Sequence, residues 1–247
     1  MQFLKENQLA VLGACLMVGL IGSSAVLGDT FLKSRRYPNE VVTVTGAATH
    51  PITSDLATWE CSFARRAGTM AMAYDALKKD TEVVKQYLAS HGVKPDEMAI
   101  QQTDTITQYQ RNDKGYTTDI VSGYKLSQRI EVTSKDVEKI ERLSQNSTEL
   151  ISRGIGFTSH APSYYYTKLD DLKVKMLGEA TQNAHSRAES MAKSTKRDIG
   201  LLRTAHMGVF QITSQHSTDV SDYGINDTSS KEKSVTAVVN ATFEIAH

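Results

Sequence analysis

The sequence predicts an α+β protein: an antiparallel or mixed sheet with helices packed on one face, preceded by one N-terminal transmembrane helix. Three observations predict it. Valine, threonine and aromatic residues alternate in "VVTVTGAA" (41–48), "DLATWECSF" (55–63) and "SVTAVVNATFEI" (234–245), the period of half-buried strands. Apolar residues recur at helical spacing over 70–90, 137–150 and 168–197. Residues 9–28, "LAVLGACLMVGLIGSSAVLG", carry no charge and reach the roughly 20 residues that cross a hydrocarbon layer.

The N-terminal run lies between Lys5–Glu6 and the basic group Lys33, Arg35 and Arg36. It divides the chain into a short flank (1–8), an anchor or uncleaved signal (9–28), a linker (29–39) and a soluble domain (40–247). "SSA" at 23–25 offers a small-x-small cleavage site, and cutting near Ala25 would release the rest to the periplasm. "LGAC" at 12–15 fits lipoprotein processing poorly, because the apolar run continues past Cys15. On the positive-inside rule the 33–36 side would be cytoplasmic. No second spanning segment follows.

Each element has its own signal. In 55–63, Ala57, Trp59, Cys61 and Phe63 share a face that should meet the core, and "HP" at 50–51 marks a turn before it. Ala73, Leu77, Val84 and Leu88 stripe the first helix, which Gly92 and Pro95 end. Strands at 98–110 and 117–132 flank the hairpin turn "NDKG" at 112–115. "TSKD" at 133–136 opens a second helix, with Thr133 or Ser134 as the cap and Asp136 near the positive end. Val137, Ile140, Leu143 and Leu150 mark its apolar side.

A strand at 157–166 carries Tyr164, Tyr165 and Tyr166. Strand alternation puts Tyr164 and Tyr166 on one face and Tyr165 on the other, so the three make no single flat platform. Thr167 caps a long helix at 168–197, about 45 Å at 1.5 Å per residue. Met176, Ala180, Ala184, Ala188 and Ala192 fall four apart and predict close packing on a sheet. An extended segment at 201–214, interrupted by Gly208, leads to a polar loop at 215–230 and the last strand.

Several of these stretches together resemble one family. "VVTVTGAA" with "DLATWECSF", "YTKLDDLKVKMLGEATQNAHSRAESMA", "AHMGVFQI" and "VTAVVNATFEI" are similar to the SIMPL-domain family, a domain of unknown function that includes exported oxidative-stress-defence and periplasmic immunogenic proteins. A membrane-anchored subgroup often reads "LNxxKPxMLxEATxNAR" in the long helix. Leu169, Lys173, Met176, Leu177, Glu179, Ala180, Thr181, Asn183 and Ala184 match it. Asp170, Val174 and His185 depart from it, and "AHMG" (205–208) stands for the subgroup's "ANQG". The resemblance implies export, a soluble domain outside the bacterial inner membrane, and homo-oligomers, with a ring as one form they take. It implies no catalytic set and no cofactor.

Composition and motifs narrow the chemistry. Lys plus Arg and Asp plus Glu both number 28, so the net charge is zero and no broad nucleic-acid surface is expected. The basic pairs Arg35–Arg36 and Arg65–Arg66 could meet anionic lipid or a partner. Cys15 and Cys61 are poor disulfide partners, and Cys61 reads as a small buried hydrophobe. No histidine pair has catalytic-zinc spacing; a metal site at His206 and His216, with Asp219 or Asp222, is the weaker alternative to surface histidines. "GIG" (154–156) lacks the spacing of a phosphate loop, and no serine sits in a nucleophile elbow.

The sequence therefore predicts a membrane-tethered, self-assembling cell-envelope protein with a structural or stress-protective role and no identified catalysis. The alternative is an envelope binding module for a small ligand or protein, using the 160–166 strand and the 215–230 loop. The candidate surface is Tyr164, Tyr165, Tyr166, His216, Asp219 and Tyr223.

Overall fold

The alternation at 55–63 becomes strand β2 (Leu56–Ala67), in which Ala57, Trp59, Cys61 and Phe63 are buried. The structure, a computed structural model, describes residues 8–36 and 40–246. These fall into two compact units. One comprises residues up to Ala48, Met176–Gly208 and Ala237 onward; the other comprises Thr49–Lys175 and Val209–Thr236.

The second unit holds a six-stranded antiparallel sheet. β3 (Met98–Ile100) and β4 (Asp104–Arg111) both pair with β5 (Thr117–Ser134). β5 pairs with β2, and β2 pairs in turn with β6 (Gly156–Ser159) and β7 (Ser163–Tyr165). Helix α2 (Met70–Ser90) starts where Thr69 Oγ1 accepts from Met72 N, and buries Ala73, Leu77, Val84, Tyr87 and Leu88. Helix α3 (Val137–Asn146) buries Val137, Ile140 and Leu143, and the short α4 (Glu149–Ser152) buries Leu150. These side chains form one cluster with the inward face of β2. Trp59 keeps its polar end satisfied, with Nε1 donating to Ser159 Oγ at 3.0 Å.

Four local expectations need correction. No turn forms at His50–Pro51: β1 (Val41–Thr53) runs through both residues. β1 is an edge strand, where the missing proline N–H costs no ladder bond. The α3 cap is Asp136, which accepts from Lys139 N at 2.9 Å, because Ser134 is still in β5 and donates to Glu97. The 157–166 strand breaks at 160–162, before Ser163. Thr167 caps no helix: its N–H and Oγ1 both donate to Asp55, at 2.7 and 2.8 Å.

The other sheet is mixed, with strand order β1-β11-β9-β10 and β8 also on β11. Its remaining strands are β8 (Asp198–Met207), β9 (Gln211–Ser214), β10 (Ile225–Asn226) and β11 (Glu232–Ala246). β10 runs parallel to β9; β8 and β9 run antiparallel to β11. Two sheets thus stand where the sequence suggested one.

From Met176 onward the long helix α5 (Leu169–Ser194) belongs to the first unit, and there it buries Met176, Ala180, Ala184, Ala188 and Ala192. Gly46 of β1 faces this stripe. A Cβ there would collide with Ala180 O and Ala184 N. The helix also covers the free edge of β1: Asn183 Oδ1 accepts from Ala47 N at 3.2 Å, and Arg187 Nη1 donates to Thr45 O at 2.8 Å. His185, where the subgroup pattern has arginine, meets Phe243 edge-on at 5.5 Å.

Residues Gln8–Arg36 form helix α1, whose Leu12, Leu16, Met17, Val18, Leu20, Ile21, Val26, Leu27 and Phe31 are exposed. Among the described residues no helix is long and apolar enough to cross a membrane. Lys5 and Glu6, and the side chains of Cys15, Lys33, Arg35 and Arg36, lie outside the described residues.

Candidate functional site: the tyrosine pocket

β7 is held on two sides. Tyr164 pairs with Ala57 in β2, and its N–H donates to Thr228 O at 2.7 Å. That second bond ties the tyrosine strand to the 215–230 segment. The segment is more ordered than a plain loop. β10 lies inside it, Asp227 N donates to Ile212 O at 2.9 Å, and the buried Gln211 side chain donates to Ser221 O at 2.7 Å.

Tyr164 is buried, Tyr166 half-buried and Tyr165 exposed. β7 ends at Tyr165, so Tyr166 is free of strand alternation. All three tyrosines line one cavity of about 110 Å³. They do not stack as a platform; they wall a small pocket. Burial pushes the Tyr164 phenol above its usual range, and the nearby Glu141 adds to the shift.

Behind the tyrosines lies Lys233, only 3% exposed. Its Nζ donates to Tyr164 O at 2.6 Å. Burial lowers its pKa below the usual lysine range, and the Asp227 charge partly opposes this. One oxygen of Asp227, Oδ2, is buried with no hydrogen-bond partner; the other accepts from Ser229 N and Oγ. Sequence reasoning missed Lys233 by starting the last strand at Ser234. The signal was available: Lys233 shares the strand phase of Val235, Ala237, Val239, Ala241 and Phe243, all buried. A lysine on the inward phase of a strand is out of pattern.

The other candidate residues stand apart from this pocket. His216 is exposed in a left-handed backbone conformation, φ 76°. Asp219 turns back to accept from Ser217 Oγ at 2.9 Å. Tyr223 is 98% exposed, with Val220 also exposed nearby in sequence.

A second concavity of about 400 Å³ lies on the β2 and β5 face that carries Glu60, Ser62, Lys125 and Arg129, with His160 beside it. Ser62 Oγ is 3.5 Å and Glu60 Oε1 3.8 Å from the same ring nitrogen of His160, Nε2. A nucleophile–base–orienter relay needs the two partners on opposite nitrogens, so this trio does not activate Ser62. Cys61, directly between Glu60 and Ser62 in sequence, points into the core, and burial raises its thiol to about 12. That thiol is inert. Arg65, which the sequence offered to a membrane or partner, is engaged within the fold: its guanidinium makes two bonds to the buried Asp80, one from Nη2 at 2.7 Å.

Fold and site define the class: an α+β protein with helix-covered sheet and, among the described residues, no group of three or more side chains that could hold a metal ion. The family model for SIMPL, described as a protein of unknown function (DUF541), matches residues 42–243, and the chain belongs to the SIMPL family. No curated protein matches it.

Proposed function

We propose that the chain is a membrane-tethered, self-assembling cell-envelope protein with a structural or stress-protective role and no identified catalysis. The observation that carries the self-assembly is the hairpin of β4 and β5. Ile106, Tyr109, Tyr116, Ile120 and Val121 are all exposed on it; Tyr109 and Val121 pair across its two strands on one face, and strand alternation puts Ile106 and Ile120 on the other. A run of large apolar side chains in water marks an interaction surface. A second copy is the natural partner, because zero net charge imposes no long-range repulsion between copies.

The tether is residues 9–28, an uncharged run within helix α1 whose described apolar side chains are exposed. In this reading the chain crosses the bacterial inner membrane once, with residues 40–247 outside the cytoplasm. Cleavage near Ala25 is the alternative route to the same compartment.

Native mass tests the proposal. The full-length chain in mild detergent is compared with a chain beginning near Pro38. A discrete large assembly in both supports self-association through the soluble part. A monomer in both rejects it, and a large form at full length alone assigns assembly to residues 9–28.

The tyrosine pocket favours a second reading, a binding module for a small ligand built from β7 and the 215–230 segment. It is compatible with self-assembly, since the pocket and the β4–β5 hairpin use different residues.

A further inference from the structure

An ammonium group has three N–H donors. Among the described residues Lys233 Nζ uses one, to Tyr164 O; the nearby Asp227 carboxylate acts on it through its charge but makes no ion pair or hydrogen bond with it. A charge buried this deeply costs several kcal/mol unless it is paired. The fold keeps Lys233 on an inward strand phase, where valine or alanine would pack without that cost. Lys233 is also the charged residue lining the 110 Å³ cavity, and Asn226 is the amide residue of the lining. The rest of the wall is apolar or aromatic: Ile52, Leu169, Ile212 and the tyrosine rings.

We propose that this cavity binds a small organic monocarboxylate, with its oxygens on the unused donors of Lys233 and its short apolar tail against Ile52, Leu169 and Ile212. This rests on the binding-module reading and names its ligand class. Charge sets the sign, because a cation would face the buried ammonium without a lining carboxylate. Size sets the length. The volume equals about three to four waters at roughly 30 Å³ each, so an acid of a few carbons fills it. A tetrahedral dianion such as phosphate fits less well, since such sites gather several donors, often a bidentate arginine or a helix N-terminus. Tyr165, the exposed tyrosine of the lining, covers the tail.

The test is calorimetric titration of the full chain with butyrate, beside its neutral and cationic isosteres n-butanol and n-butylamine. Butyrate is expected to bind saturably, one per chain, with a dissociation constant on the order of 1 mM or tighter. Lys233→Met should abolish that binding. Tyr165→Ala should weaken it about tenfold, and its exposed position keeps this test valid should Lys233→Met not fold. Butyrate binding left unchanged by both substitutions overturns the assignment. Butanol or butylamine binding that Tyr165→Ala weakens, without butyrate binding, overturns the carboxylate class and leaves the binding module standing. No saturable binding of any of the three overturns both.

Discussion

Glu97 shows how one side chain joins separate elements. Its carboxylate accepts from Lys139 Nζ at 2.7 and 3.0 Å, from Lys94 N at 3.0 Å and from Ser134 Oγ. Lys139 Nζ also donates to Gly92 O at 3.2 Å, so the end of α2, the turn at Pro95–Glu97 and α3 meet at one charge. Burial alone would raise the Glu97 pKa. The hydrogen bond from Lys139, with those from Lys94 and Ser134, outweighs it and sets the value at about 2, against an ordinary 4.5. The folded-state value is depressed, so the stabilisation is fully present above the unfolded-state pKa and is lost as pH falls through the folded one. Both partners are largely shielded from water, and the contribution at neutral pH is on the order of 2 kcal/mol. Glu97→Gln should lose that amount in urea unfolding at pH 7, and the gap to the parent should close as the pH approaches 2. A constant gap across that range would show that packing, rather than charge, is responsible. None of this was legible in the sequence: Glu97 and Lys139 are far apart in the chain, and nothing local marks them as partners.

At the scale of elements, periodicity was the readable signal and strand ends were not. The alanine stripe of α5 and the inward face of β2 follow the expected spacing because packing imposes those periods directly. The breaks came where a side chain found a distant partner. Thr167 gave its hydroxyl to Asp55, and Ser134 stayed in β5 to reach Glu97. The pocket was half legible. The tyrosines drew notice as a run, but strand alternation argued against convergence, and the early end of β7 released Tyr166 from that rule. The same logic gives a test for α5. Its close approach to β1 depends on the missing Cβ of Gly46, which leaves room for the backbone of Ala180 and Ala184. Gly46→Ala forces backbone apart and should cost about 3 kcal/mol or more. Gly208→Ala, in the same unit, meets its nearest atom at 3.5 Å and should be nearly neutral. Thermal denaturation of the pair separates a packing requirement at Gly46 from a general sensitivity to added methyl groups.

For the whole molecule, the question is what covers the apolar surface that the folded chain leaves in water. The β4–β5 hairpin is shaped by its turn. Asn112 Oδ1 accepts from Lys114 N and Tyr116 N, and Gly115 takes the left-handed conformation, φ 81°, that a side chain would resist. The turn therefore fixes the hairpin without help from its apolar side chains, which contribute little to folding while exposed. Tyr116 is 70% exposed and Ile120 58%. Replacing Ile106, Tyr116 and Ile120 together with serine should leave the unfolding free energy of the isolated chain within about 1 kcal/mol of the parent, as exposed substitutions do. On the proposed self-assembly it should nevertheless reduce the native mass toward that of a single chain, because the proposed burial of these side chains between copies would be lost. An unchanged mass with unchanged stability would remove the hairpin as the contact. The exposed β8 edge, with Leu201, Leu202 and Met207 in water, would then be the next surface to alter. A fall in mass accompanied by unfolding would instead make the hairpin part of the fold itself, contrary to its exposure.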